Sequence, residues 1–470
     1  MPEPLNLLWI MSDQQRYDCV GAFGGRQART PHLDRLAAEA VRFDRHYTTC
    51  PLCIPARSSL ATGRYPHSCG ATVNGIFWDD GELDHARLAP GRRTAGERLL
   101  DAGFRVAQVG VDHVLTVPPD RQRRAFDLFY DFSDYGSYAR EKNLPGYDPA
   151  NHQVECADQI GASSRTCRYS GPQPGRHPAA ASDFLDFVFA REAADFLAGQ
   201  KVGPWALFVY LWAPHPPLVW PEPYCSMYDP ADVVLPPNVG VRGEGRSLLH
   251  DRHAPGQLGA FLENRDDWKR TWAAYLGGCT LVDDALGRVL AAARSRDDWD
   301  RTVVVFHPDH GEQLGAHRCF QKMVCYEDSI HLPLIICAPG ASPGRTRALT
   351  SHVDILPTLL DYACVPLPDG LQGRSLRPLV EDPSAPFDRD EVFCEYNGNA
   401  GWSFFQRCVV SPRWKYIRNV GVDEELYDRQ TDPFELRNIV RSAPAGVLKD
   451  MRTRLQAWME RTGDFLLAGS

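Results

Sequence analysis

The sequence predicts an α/β fold: a large, mostly parallel sheet sandwiched by helices, followed by a small α+β subdomain carrying an antiparallel sheet. Three observations carry this. Short apolar runs alternate with helical patterns up to about residue 385. Polar groups sit just past the ends of those runs, at Asp13, His215, Asp309 and His310, where open parallel sheets gather ligands. Beyond 385, short strands and one late helix replace the earlier rhythm.

Leu5 to Met11 is an apolar run that ends in Ser12-Asp13-Gln14, as a buried strand does when its carboxyl end meets a site. Thr30-Pro31 opens a helix with Leu33, Leu36, Ala37 and Ala40 at helical spacing. Phe43 to Thr49 reads as a run toward a loop, and Pro55 to Thr62 as a helix. Thr94 to Leu100 is helical, Gly103 ends it, and Phe104 to Val109 is a strand. Residues 183–199 and 265–294 are helical. Ala206 to Trp212, Thr302 to Phe306 and Leu332 to Cys337 are buried strands, and Asp354 to Tyr362 is a helix. Segment 113–182 is rich in Pro, Gly, Ser, Asp and Arg with weak periodicity, which predicts a long excursion over the active-site mouth within a catalytic unit spanning 1–385. In 386–470, Val392 to Tyr396, Phe404 to Val410 and Trp414 to Asn419 read as strands and 444–461 as a helix.

Composition narrows the function. The 470 residues hold 51 Lys+Arg against 60 Asp+Glu, a net charge of -9 that argues against nucleic-acid binding, while leaving small anions open. The longest apolar runs, Leu7 to Met11 and Leu207 to Ala213, fall far below the about 20 residues of a spanning helix, so no membrane partner is expected. The start lacks a basic n-region and a cleavage site, which makes the cytoplasm the simplest compartment, with the 14 cysteines reduced.

The chemistry-bearing stretch runs from Cys50 to Arg64. Taken alone, Cys50-Pro-Leu-Cys53 invites a zinc or redox reading. A structural zinc needs a second pair, and His67 with Cys69 has poor spacing for one. A thioredoxin-type pair would not be followed by Arg57 and Gly63-Arg64. The stretch resembles the signature of the sulfatase family, within the alkaline-phosphatase-like superfamily: Cys-x-Pro-x-Arg, then x-x-Leu-x-Thr-Gly-Arg, matched by Cys53, Pro55, Arg57, Leu60, Thr62, Gly63 and Arg64. Likeness to the arylsulfatase, choline-sulfatase and phosphonate monoester hydrolase group extends to Asp13-Gln14, Thr30 to Asp34, Pro214 to Pro217, Asp309-His-Gly-Glu312 and Leu426 to Asn438.

The resemblance implies hydrolysis of a sulfate ester, a small anionic substrate, after a separate formylglycine-generating enzyme has oxidised Cys53 to formylglycine. A hydrated aldehyde carries two hydroxyls on one carbon. One attacks sulfur; deprotonation of the other expels sulfate, a release that serine cannot match. An Asp after a strand is often only a turn or cap. Two of them beside this signature point to a metal held by Asp13, Gln14, Asp309, His310 and the modified Cys53. Ca²⁺ is the commonest ion in the family; His310 in place of Asn and Gln14 in place of Asp lower the charge and leave Mn²⁺, Mg²⁺ or Zn²⁺ open. By the same resemblance Arg57 holds the diol and a metal carboxylate, His215 is the leaving-group acid and contacts sulfate, and Lys322 binds the anion's oxygens. Asn74 contacts the ester, and His113 is the base that triggers release.

Many sulfatases carry a sulfate-binding lysine where this chain has Val111. Phosphonate monoester and phosphodiester hydrolases of the superfamily also lack it, so an ester of that kind is the alternative substrate. A non-catalytic binding protein and a transferase are the readings from other classes. His307 is open between a supporting and a structural role, and Phe77, Trp78, Tyr135 and Tyr138 between lining a pocket and packing on the core. The alcohol portion of the substrate falls to segment 113–182 and the C-terminal unit. The resemblance leaves a homo-oligomer open.

Overall fold

The structure, a computed structural model, describes residues 3–75, 85–160, 163–199, 203–399, 402 and 404–467. Its first strand, β1 (Asn6–Ser12), is buried at every position. Leu7, Trp9 and Met11 enter the core on one side of the sheet, and Leu8 and Ile10 the core on the other. A strand covered on both faces has to be apolar throughout.

The chain continues through β2 (Val41–Tyr47), β3 (Arg105–Gly110), β4 (Leu128–Tyr130), β5 (Gln153–Ile160), β6 (Ser163–Ser170), β7 (Trp205–Tyr210), β8 (Thr302–Pro308), β9 (His331–Cys337), β10 (Gly344–Thr346) and β11 (Thr350–Ser351). Among the described residues the main sheet has nine strands, ordered β10-β2-β9-β8-β1-β7-β3-β4 with β11 also on β2. β8, β1, β7, β3 and β4 are parallel, whereas β9 runs antiparallel to both β8 and β2. A parallel return needs a long crossover. Residues 309–330 between β8 and β9 hold a single helical turn, Glu327–Ile330, so the chain comes back antiparallel.

Phe43 to Thr49, expected to run toward a loop, belongs largely to β2. Arg42, Asp44 and Arg45 are half-buried there beside buried Val41 and Phe43, and these charges hide the strand pattern.

The principal helices are α1 (Pro31–Ala38), α2 (Cys53–Thr62), α3 (Ala95–Asp101), α4 (Phe132–Glu141), α5 (Leu185–Gly199), α6 (Arg265–Arg294), α7 (Ile355–Tyr362) and α8 (Val447–Thr462). Leu33, Phe189 and Leu281 bring α1, α5 and α6 onto one face of the sheet; Leu99 and Leu359 bring α3 and α7 onto the other. Thr94 and Glu97 close a capping box on α3. Asn264 Oδ1 caps α6 by accepting from Asp267 N at 3.0 Å.

Segment 113–182 is more regular than its composition suggests. It holds β4, α4 and an antiparallel hairpin, β5–β6, that forms a two-stranded sheet of its own. The C-terminal sheet is antiparallel, with β12 (Val392–Tyr396), β13 (Gln406–Val410), β14 (Trp414–Asn419) and β15 (Asp423–Asp428) in that order. The last strand escapes a reading of hydrophobic pattern because it opens on Asp423-Glu424-Glu425; Glu425 is buried and accepts from Tyr326 and Tyr427 hydroxyls at 2.7 and 2.6 Å. Phe393, Val409, Tyr416 and Leu426 pack against Met451, Leu455 and Trp458 of α8. The opposite face, with Cys394, Cys408 and Ile417, joins the core beneath the main sheet. No helix among the described residues is long and apolar enough to cross a membrane.

Candidate active site

Cys53 is the first residue of α2, 3 % exposed, at the end of the helix where backbone N–H groups favour negative charge. Its Sγ lies 3.1 Å from His310 Nε2 and 3.8 Å from Asp13 Oδ1. The ligand atoms of Asp13, Cys53, Asp309 and His310 all fall within 4.8 Å of one another. Asp13 follows β1, Asp309 and His310 follow β8, and α2 delivers Cys53, so three stretches distant in sequence meet at one sheet end.

Arg57, one turn along α2, clamps the two carboxylates. Nη2 donates to Asp13 Oδ2 at 2.7 Å, Nε to Asp309 Oδ2 at 2.8 Å, and Nη1 to the Val111 carbonyl. The planar guanidinium suits that forked task. One cation between two buried carboxylates is too few. Burial and the Asp309 charge raise Asp13 to about 7. Burial acts on Asp309 too, but His310 and Arg57 hold it well below the usual carboxylate range. Burial and Asp13 push the Cys53 thiol far up, which leaves sulfur a poor nucleophile in its unmodified state.

Gln14 adopts a left-handed backbone, φ 65°. Its N–H donates to Asp309 Oδ1 at 3.0 Å and its carbonyl accepts from Tyr275 Oη at 2.6 Å, which together hold the strained turn. The side-chain Nε2 donates to Glu312, so Oε1 faces the site, where it accepts from Lys322 Nζ. Sequence reasoning quoted Glu312 within Asp309-His-Gly-Glu312 without giving it this orienting part.

Lys322 Nζ also donates to His215 Nε2 at 2.6 Å, and His215 Nδ1 donates to the Pro216 carbonyl. Burial and Lys322 keep His215 neutral by lowering its pKa well below normal. His113 faces the same pocket. Burial and Arg57 lower it to about 3, and its Nδ1 has no partner among the described residues. Asn74 Oδ1 accepts from Ile54 N at 3.1 Å, and its Nδ2 donates to Asn399 Oδ1 at 2.9 Å. Asn399, which the sequence did not single out, thereby links the C-terminal region to the start of α2.

The sulfatase family model matches residues 5–365 of this chain. The chain belongs to the sulfatase family. A model for the N-sulphoglucosamine sulphohydrolase C-terminal region matches residues 315–461. The chain is 27% identical to an ulvan-active sulfatase of Formosa agariphila over 98% of its own length and 82% of the relative's, and 27% identical to an arylsulfatase of Clostridium perfringens over 93% and 90%. Its fold matches the phosphonate monoester hydrolase of Silicibacter pomeroyi with a TM-score of 0.79, at 24% identity over 98% of this chain and 96% of that one. This sulfatase is thus a sulfuric ester hydrolase with an alkaline-phosphatase-like fold.

Above Cys53 the sulfatase opens a cavity of about 1070 Å³. One wall is aromatic: Phe132 meets Trp212 edge-on at 5.4 Å, and Trp212 lies 4.2 Å from the His215 ring. The other is the β5–β6 hairpin, which presents Gln153, Glu155, Thr166 and Arg168. Of the aromatics left open between lining a pocket and packing on the core, Tyr135 and Tyr138 do not line this cavity. Tyr135 and Tyr138 turn their hydroxyls to Asp183 instead, and Phe77 and Trp78 lie outside the described residues. Trp212 is the last residue of a run that the sequence reads as buried strand, which masked its place at the mouth. His307 takes the structural role: Nε2 accepts from Trp9 Nε1 and Nδ1 donates to the Pro308 carbonyl, both at 2.8 Å.

Proposed function

We propose that this sulfatase hydrolyses its sulfate ester with a formylglycine derived from Cys53 and a divalent cation held by Asp13, Gln14, Asp309 and His310. The observation that carries the reading is the gathering of Cys53 with two carboxylates and an imidazole at the start of α2. The donor set fits a hard cation: two carboxylates, an amide oxygen and one imidazole, with Asp13 short of positive charge. Ca²⁺ is the first candidate, with Mn²⁺, Mg²⁺ and Zn²⁺ as alternatives. Bound there, the cation supplies neutralisation of the ester's negative oxygens. The chemistry of hydrated formylglycine is two hydroxyls on one carbon, one nucleophilic and one whose deprotonation releases sulfate.

The chain's own residues do the rest. Arg57 holds Asp13 and Asp309 in register. Lys322 Nζ points a positive charge at the ester oxygens and, held by the neutral His215 Nε2, is the group that protonates the leaving oxygen, so the acid expected at His215 acts through the lysine. His113, neutral and unpartnered at Nδ1, accepts the proton whose removal frees sulfate. Asn74 fixes the start of α2. Maturation calls for a formylglycine-generating enzyme as partner.

A second reading, phosphonate monoester or phosphodiester hydrolysis, is favoured by Val111. Its side chain is fully buried and its carbonyl is taken by Arg57, so no cation reaches the anion from that position. The test is kcat/KM on matched aryl sulfate and aryl phosphonate monoesters. The protein is co-produced with a formylglycine-generating enzyme, and Cys53→Ala is run alongside. A sulfate preference lost in Cys53→Ala supports the first reading, and a phosphonate preference the second. Activity retained in Cys53→Ala overturns both.

A further inference from the structure

We propose that Cys156 and Cys167 form a covalent modification site: a disulfide between them staples the β5–β6 arm over the active-site cavity. The two residues face each other in the antiparallel register of the hairpin. Directly opposite residues have Cα atoms about 4.5 or 5.5 Å apart, inside the about 4.4–6.8 Å that a disulfide spans. Strand alternation puts the pair on the face opposite the cavity. Val154, Cys156, Cys167 and Tyr169 pack into the main core, each cysteine 1 % exposed, while Gln153, Glu155, Thr166, Arg168 and Ser170 line the cavity; Tyr169 borders both, and neither cysteine is part of the lining. The cross-link therefore leaves the cavity lining untouched.

The arm has reason to need it. Among the described residues β5 and β6 pair with no third strand, so apart from the core face and the Gln257 bonds to Ala157 the arm has only its own ladder to hold its shape. Among the described residues its cavity face shows an exposed ion pair, Arg168 to Glu155 at 3.1 Å, and exposed pairs are worth little. Cys394 and Cys408 also face each other, but within a four-stranded sheet whose pairing is already supported by its neighbours and by α8.

The oxidant is a low-molecular-weight disulfide such as oxidised glutathione. When the hairpin opens locally and brings the pair to solvent, one thiolate attacks a glutathione sulfur, breaking that S–S bond and releasing one glutathione thiolate. The second thiolate attacks the mixed disulfide, forming the Cys156–Cys167 bond and releasing the other glutathione. Two electrons pass from the cysteine pair to glutathione, and the two thiol protons end on the released glutathione thiolates.

The test is incubation of the intact protein with oxidised glutathione, followed by a non-reducing tryptic digest and mass spectrometry. Cleavage after Lys142, Arg165 and Arg168 puts the two cysteines on separate peptides, 143–165 and 166–168. The expected result is these peptides joined with loss of two hydrogens, slower amide exchange across 153–170, and reversal of both by dithiothreitol. Cys167→Ser abolishes the joined species. Glutathione adducts on exposed Cys364 with the two peptides still separate overturn the proposal, as does a Cys394–Cys408 cross-link formed in its place. Activity is not the readout, so the outcome is independent of which ester the site hydrolyses.

Discussion

Lys322 Nζ donates to His215 Nε2 across 2.6 Å, joining the loop after β8 to the loop after β7. Gln321 and Met323, on either side of the lysine, have φ of 65° and 77°. Such left-handed backbone at non-glycine residues costs about 1–3 kcal/mol each and persists only where the surroundings impose it. The loop is held in shape to place one ammonium group.

Lys322→Met and His215→Ala are each expected to lower kcat/KM by about 10²–10³, the usual cost of removing one donor to a developing negative charge. If the two act as a pair, the double variant loses much less than the product of the single losses. Steady-state kinetics on one sulfate ester reads this directly, and multiplicative losses would falsify the pairing.

Arg57→Lys keeps the charge but not the fork to Asp13 and Asp309. Breaking a buried, hydrogen-bonded pair costs about 3–5 kcal/mol. The variant is expected to melt lower and to retain less divalent metal after dialysis. In the parent protein a chelator is expected to lower Tm and excess metal to restore it, as follows if only the folded state binds the proposed ion. Calorimetry paired with elemental analysis checks both; an unchanged metal content in Arg57→Lys contradicts the clamp.

Asp186 on α5 accepts from the N–H groups of Trp212 and Ala213 at 2.7 and 3.2 Å, which ties α5 to the loop that bears His215. Burial raises its carboxyl from 3.8 to about 7. A raised pKa in the folded state means that the native protein binds more protons than the unfolded chain between those values. The contribution of Asp186 is therefore full below about pH 4 and declines as pH rises through 7. Asp186→Asn is expected to flatten the fall in Tm between about pH 4 and 7, and a slope identical to the parent's rejects this assignment.

Trp212→Ala removes the ring between Phe132 and His215. Loss of an aromatic contact of about 1 kcal/mol corresponds to roughly a fivefold rise in KM for ring-bearing substrates. Trp212→Phe is expected to restore most of it. An equal effect on a small alkyl sulfate would place the tryptophan's role in positioning His215, not in holding the alcohol.

The chemistry of the site was far more legible in the sequence than its walls. Cys53, Arg57, Asp13, Asp309 and His310 sit in short motifs whose spacing survives any loop change, and β1, β3, β7 and β8 are apolar runs covered on both faces. Long α6 was readable to its ends although its middle, Thr271 to Asp283, is buried all round. β2 and β15 were lost because charged residues interrupt their alternation, and Tyr135 stayed open between cavity and core because an aromatic outside a clear periodic pattern gives no sign of which way it turns. Asn399 and the β5–β6 hairpin reach the cavity through tertiary contacts that no local pattern records.

The burial of Cys53 has a consequence for the timing of biosynthesis. A chain emerging from the ribosome exposes Cys53 long before Asn399 has been made, and the contact of Asn399 with Asn74 closes one side of the helix start only once the C-terminal residues arrive. Any enzyme that oxidises Cys53 therefore works against a clock set by translation and docking. On the proposed mechanism, protein made faster than such an enzyme can act is expected to accumulate folded and inactive.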